Sequence, residues 1–147
     1  MPQVERRAEV VWEGNLMQGH GTIASSSSGA LQNMPVTWAS RVESPDGKTS
    51  PEELIAAAHA ECYAMSLSHT LAQAGNPAQQ LNVTAVCTLD VSPSGPKIAA
   101  MTLTARGTVP GLDQAGFEKA AQTAEQNCPV SNALRGSLKI SVQAQLE

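Results

Sequence analysis

The stretch TSPEELIAAAHAECYAMSLSHTL, Thr49 to Leu71, constrains this chain more than any other. It predicts one long helix with a thiol in its middle. Thr49 or Ser50 can cap it, because either hydroxyl accepts from an orphan backbone N–H. Pro51 suits the first turn, where a missing N–H costs nothing. Glu52 and Glu53 set negative charge against the positive end of the helix dipole. With Ser50 as the cap, Glu53 falls at the third helical position and completes a capping box. Gly75 and Pro77 stop the helix. From Pro51 to Ala74 it would run roughly 36 Å at about 1.5 Å per residue. Ala56, Ala57, Ala58, Ala60, Ala64, Ser66, Ser68 and Ala72 are small on nearly every side, whereas a surface helix carries a broad polar face. The expectation is a central, mostly buried helix that lets other backbones approach closely.

The rest of the composition sets the class. A chain of 147 residues is long enough for one domain with its own core, and residues 1–147 read as a single domain without internal repeat. Only 3% of residues are aromatic, so Ala, Val, Leu, Ile and Met must fill that core. The formal charge of −4, with no cluster of Lys and Arg, argues against a nucleic-acid partner. No apolar run reaches membrane-spanning length, and the N-terminal MPQVERRAEVVWEG has no apolar signal segment, so a cytoplasmic location is expected. In that reducing compartment three cysteines do not make a structural disulfide framework; they are core residues or reactive ones.

Either side of the long helix the pattern is largely that of strands. Arg6–Glu13 and Leu16–Ser25 read as the first two, with Gly14-Asn15 turning between them and Gly19 and Gly21 marking a bulge or close approach. Ser25–Gly29 is a loop. Met34–Val42 alternates as a third strand, and Ser44-Pro45-Asp46-Gly47-Lys48 is a turn. Leu81–Ser92 alternates cleanly apart from Val86, and Lys97–Val109 returns after Ser92-Pro93-Ser94-Gly95-Pro96. A second helix starts at an Asp113 cap and runs to about Asn127. Cys128-Pro129 opens a short helical turn closed at Gly136, and Leu138–Leu146 forms a last strand. The sum is an α+β fold with largely antiparallel pairing.

The three cysteines occupy different settings. Cys87 sits on the apolar face of a strand, as a small core residue does. Cys128 precedes Pro129 at a helical N-terminus, a position that favours thiolate, although a buried cap would look the same. Cys62 is mid-helix, where the dipole gives little help. A thiol of pKa about 8.5 is only about 3% thiolate at pH 7, so Cys62 is either a core residue or a nucleophile with a cation close by. His59, three residues earlier on the same face, is one candidate partner. His-x-x-Cys is also half a zinc site, but no Cys-x-x-Cys accompanies it, and closure would need Cys128 or His69. His59 also fits a satisfied core or surface histidine.

SPEELIAAAHAECYAMSLS, followed about sixty residues later by NCPVSNAL, resembles the OsmC/Ohr family of thiol-dependent peroxidases (osmotically inducible protein C and organic hydroperoxide resistance proteins). The resemblance covers most of the chain. It implies an OsmC-like fold, with antiparallel sheets around a long central helix in an intertwined homodimer. In residue terms Cys62 matches the peroxidatic cysteine, Cys128 of Cys-Pro-x-Ser the resolving one, and Glu52 the glutamate that holds an active-site arginine. The Ohr-branch arginine lies in a glycine-rich turn that here reads Gly19-His20-Gly21, without arginine. Arg41, ahead of Glu43 and the Pro45-Asp46-Gly47 turn, resembles the OsmC-branch equivalent; Arg106 and Arg135 are the alternatives. Ala-Ala-His-Ala-x-Cys around His59 also points to the OsmC branch.

The resemblance implies a stress-response antioxidant that reduces organic hydroperoxides to alcohols with no cofactor or metal. Cys62 becomes a sulfenic acid, a Cys62–Cys128 redox-active disulfide follows, and a lipoyl-type or thioredoxin-like dithiol resets it. Arg41 would stabilise the thiolate and Glu52 orient the guanidinium through a bidentate pair. Glu52 and Cys62 stand roughly 15 Å apart along a straight helix, so one guanidinium does not easily touch both in one copy. Two antiparallel copies would solve this, giving a shared site at a dimer interface. An apolar pocket with Met65, Leu54 and Leu134 would favour bulky peroxides over hydrogen peroxide. Two other functions fit the same dimeric fold: a cysteine-based redox sensor, told apart by turnover, and a ligand-binding module with structural cysteines, told apart by slow alkylation.

Overall fold

A computed structural model describes residues 2–147. The chain falls into two compact units, one ending at Glu53 and one spanning Leu54–Glu147. The first holds β1 (Ala8–Glu13), β2 (His20–Ser26), β3 (Met34–Val36) and α1 (Trp38–Val42). Its three strands form an antiparallel sheet in sequence order. The irregularity predicted near Gly19 and Gly21 lies instead at Ala24 of β2, which is skipped as Glu9 pairs with Ser25 and Val10 with Ile23. Gly21 marks a close approach, since a Cβ there would come within 2.6 Å of the Trp12 ring.

Two expectations for this unit fail, each because polar side chains stabilise a local alternative. The second strand does not begin at Leu16, because Asn15 turns the chain back: its side chain accepts from the Gln18 N–H at 2.8 Å and its carbonyl from Gly19 at 2.9 Å. The third strand stops at Val36. Thr37 caps a helix there, with the Thr37 hydroxyl accepting from the Ser40 N–H at 3.0 Å and the Ser40 hydroxyl from the Thr37 N–H at 2.9 Å. This reciprocal box turns Trp38–Val42 into α1 despite the alternation that suggested a strand.

The long helix is α2 (Pro51–Gln73). Ser50 caps it by accepting from the Glu53 N–H at 3.1 Å, while the Glu53 carboxylate takes the Thr49 hydroxyl at 2.8 Å. The first turn of α2 belongs to the first unit and the remainder to the second. In the second unit α2 is not mostly buried. His59, Tyr63, Leu67 and Leu71, four residues apart, form one buried stripe, while Ala57, Ala58, Met65 and Ala72 are exposed. This unit covers one side of the helix only.

The second unit also holds β4 (Gln80–Ser92), β5 (Gly95–Thr108), α3 (Gln114–Asn127), α4 (Pro129–Leu134) and β6 (Lys139–Leu146). β4 and β5 are antiparallel, but β5 and β6 are parallel, so antiparallel pairing is general rather than universal. Asp113 caps α3 as expected, accepting from the Gly116 N–H at 2.8 Å. The core gathers the buried stripe of α2 with Leu103, Ala105, Phe117, Ala124 and Cys128. Two α2 hydroxyls reach α3 carbonyls, Tyr63 to Ala121 and Ser66 to Ala124, each at 2.8 Å. These bonds set the register between the helix that carries Cys62 and the one that leads to Cys128.

Candidate active site

The site residues predicted from sequence fall into two pairs, one in each unit. In the first, Arg41 on α1 meets Glu52 in the first turn of α2. Arg41 Nε lies 3.0 and 3.2 Å from the two carboxylate oxygens, and Nη2 lies 2.8 Å from Oε2. The local fold accounts for the meeting. The Ser40 hydroxyl donates to the Thr49 carbonyl at 3.0 Å, tying α1 to the entry of α2 next to both charged residues. Hydrogen bonding to Glu52 raises the Arg41 pKa further against the opposing effect of burial, so the guanidinium is permanently charged. Trp38 lies one turn back, its ring centroid 5.9 Å from the guanidinium carbon, within cation–π range. The alternative arginines are engaged elsewhere: Arg135 pairs with Glu125 at 2.7 Å, and Arg106 with Asn82 and Glu147.

The second pair is Cys62 and Cys128. Cys128 ends α3 and precedes Pro129 of α4, and it is fully buried; Cys62 is half-buried on α2. Cys62 packs against the core cluster that contains Cys128. Burial pushes the Cys62 thiol up from its ordinary pKa. The Val130 backbone pulls it down and Cys128 pushes it further up; no cation is among these influences. Beside Cys62 opens a cleft of about 510 Å³ lined by Ala58, Met65, Ser66, Asn127 and Pro129 among others. Met65 belongs to that lining as expected, whereas Leu54 and Leu134 do not. Leu134 ends α4, beyond the reach of the cleft.

His59, which the sequence offered as a partner for Cys62, turns elsewhere. It is fully buried, and its Nε2 lies 2.7 Å from the hydroxyl of Ser131 on α4. Its Nδ1 has no partner. Desolvation lowers its pKa, opposed by the Glu125 carboxylate, so it is a neutral imidazole and not a cation for Cys62. The sequence showed Ser131 only as the end of Cys-Pro-x-Ser; its contact with His59 was hidden because 72 residues separate the two, beyond any local periodicity. Among the described residues no cluster of three or more His, Cys, Asp or Glu could hold a metal ion. Among the described residues no helix is long and apolar enough to cross a membrane.

The model of the family described as OsmC-like protein matches residues 44–143, which include three of the four predicted site residues. The chain belongs to the OsmC-like family. It is 36% identical over 140 residues to the Peroxiredoxin OsmC of Escherichia coli strain K12, covering 95% of this chain and 96% of that one. The Organic hydroperoxide resistance protein of Xanthomonas axonopodis pv. citri is 30% identical over 97 residues, 64% of this chain and 65% of the relative. Among solved structures, the organic hydroperoxide resistance protein OhrB of Bacillus subtilis superposes with a TM-score of 0.73 at 25% identity, covering 95% and 98% of the two chains. The α+β arrangement of two small sheets and one long helix is thus that of the OsmC and Ohr proteins. Arg41 falls outside the matched span, and its assignment rests on its contact with Glu52.

Proposed function

We propose that this OsmC-like protein is a cysteine-based peroxidase that reduces organic hydroperoxides to alcohols. The observation that carries the reading is that Cys62, beside an open cleft, packs against the core cluster that holds the fully buried Cys128. The names of two relatives, a peroxiredoxin and an organic hydroperoxide resistance protein, support the same class. The Cys62 thiolate attacks the peroxide oxygen. The O–O bond breaks, the alkoxide takes a proton and leaves as alcohol, and Cys62 becomes a sulfenic acid. The Cys128 thiolate then displaces hydroxide, which leaves as water, and an S–S bond forms. A dithiol of the lipoyl or thioredoxin-like class reduces that bond. Thiols that must be reset in this way suit a reducing compartment such as the cytoplasm.

The surroundings of Cys62 raise its pKa, so the reaction needs a cation from elsewhere. We assign that role to the Arg41–Glu52 pair of a second copy, in a homodimer joined through the exposed small-residue face of α2. Exposed Val10, Val11 and Trp12 on β1 provide further apolar surface for such a partner. A stable monomer with full activity, matched by analytical ultracentrifugation, would sink the shared site.

Intact mass and alkylation test the core of the reading. Reduced protein treated with a stoichiometric organic hydroperoxide should lose about two mass units and two alkylatable thiols, those of Cys62 and Cys128. Unchanged mass and alkylation would refute the cycle. The apolar lining of the cleft also predicts faster turnover of cumene hydroperoxide than of hydrogen peroxide, which has no apolar part to bury. Equal rates would count against that specificity.

A further inference from the structure

We propose that the His59–Ser131 hydrogen bond is a positioning device for disulfide closure: it holds the corner that carries Cys128 against the helix that carries Cys62. The inference rests on the peroxidase reading and adds two residues to it. The geometry is repeated on both sides. His59 stands three residues before Cys62 on α2, and Ser131 stands three residues after Cys128 on α4. Their bond of 2.7 Å therefore runs one turn from each thiol, and both side chains are fully buried. The Asn132 N–H donates to the Cys128 carbonyl at 2.9 Å, so a restraint on the first turn of α4 is a restraint on Cys128 itself. On the other flank, Arg135 donates to the carboxylate of Glu125 at 2.7 Å and to its backbone carbonyl at 3.1 Å, which closes the α3–α4 corner from behind. His59–Ser131 ties the α4 side of this corner to α2, while the Tyr63 and Ser66 hydroxyls tie the α3 side.

The imidazole is an expensive way to fill that space. It is desolvated, and its Nδ1 has no partner. An aliphatic side chain would fill the volume without that cost. The arrangement makes sense if Nε2–H donates to Ser131, because an unpaired ring lone pair is tolerated in a core more readily than an unpaired N–H. Closure of the disulfide depends on keeping one sulfur in line with the other. Small losses of alignment at reacting atoms are costly in rate.

The test separates closure from the first oxidation. Ser131→Ala, His59→Leu and His59→Gln are made in a Cys87→Ser background. Gln presents a donor near the place of the imidazole Nε2–H. In one arm, organic hydroperoxide oxidises the protein, and the sulfenic acid lifetime is read by trapping with a cyclic 1,3-dione. In the other, an aromatic disulfide reagent forms a mixed disulfide at Cys62. Attack by Cys128 then releases the aromatic thiolate, with no peroxide required. Ser131→Ala and His59→Leu should slow closure in both arms on the order of tenfold, with the first step unaltered and His59→Gln close to wild type. Ser131→Ala removes one oxygen and keeps the test sound if His59→Leu fails to fold. Closure at the wild-type rate in Ser131→Ala, or equal slowing of both steps, would overturn the proposal. Should wild-type protein form no sulfenic acid while the second arm still shows the dependence on His59 and Ser131, positioning stands and the peroxidase reading falls.

Discussion

Arg41 binds Glu52 through two different nitrogens, Nε and Nη2, so the guanidinium meets the carboxylate edge-on. Glu52 is nearly buried, with 9% of its side chain exposed, against 28% for Arg41. Removing the arginine therefore strands a carboxylate that has little access to water. Arg41→Ala should cost about 1–3 kcal/mol of stability in urea denaturation. Arg41→Lys should restore only part of it, because an ammonium cannot reproduce the two-point fork. Full recovery by lysine would mean that charge alone matters.

His59 gives the fold a pH signature. Burial lowers its pKa against the opposing Glu125 carboxylate, so the unfolded chain holds its proton more tightly than the folded one. Between the folded pKa and the ordinary value near 6.5, stability therefore rises with pH, by at most about 1.4 kcal/mol per unit. The contribution is complete above about pH 6.5 and lost as pH falls toward the folded value. Chemical denaturation at about pH 7.5 and about pH 5.5 should show a smaller difference for His59→Gln than for wild type. An identical difference would mean that His59 is not the titrating group.

The sequence made some elements plain and hid others for physical reasons. In β4 the alternation of Leu81, Val83, Ala85, Cys87 and Leu89 matches the half-buried face, because a one-sided sheet writes its period directly, whereas Val91, expected on the same face, is exposed beyond the register shift at Thr88 and Leu89. The α1 helix was masked by Met34, Val36 and Trp38, whose alternation imitates a strand; its true mark was the pair Thr37 and Ser40. The parallel partnership of β5 and β6 has no local period and was not legible. At the site, resemblance named Cys62 and Cys128, and Cys62 packs against the core cluster that contains Cys128. Ser131 stands in the sequence only as the last residue of Cys-Pro-x-Ser; its bond to His59 was not legible, because that histidine lies far along the chain.

Gly107 sets the packing of the second core. A Cβ there would lie 2.8 Å from the Phe117 ring and 2.9 Å from a Leu81 methyl, both within the unit. Phe117 is fully buried and is the chain's one phenylalanine, so it has little room to shift. Gly107→Ala should destabilise by about 1–3 kcal/mol through overpacking, and Gly107→Ala with Phe117→Leu should recover part of that loss. Additive losses in the double variant would place the strain elsewhere.

The thiol of Cys62 offers the sharpest check on how the two pairs cooperate. Its own surroundings raise its pKa, with burial the largest cause and Cys128 adding to it. Left alone, such a thiol would react slowly at neutral pH, since only the thiolate is nucleophilic. If Arg41 of a second copy supplies the missing charge, the apparent pKa read from iodoacetamide alkylation of Cys62 against pH should be lower in assembled wild type than in Arg41→Ala. Glu52→Gln should lie between them, because it keeps the cation but loosens its aim. Dilution below the dissociation concentration should move the wild-type profile toward that of Arg41→Ala. Coincident profiles for wild type and Arg41→Ala would remove Arg41 from the chemistry and leave the Arg41–Glu52 pair a purely structural bond.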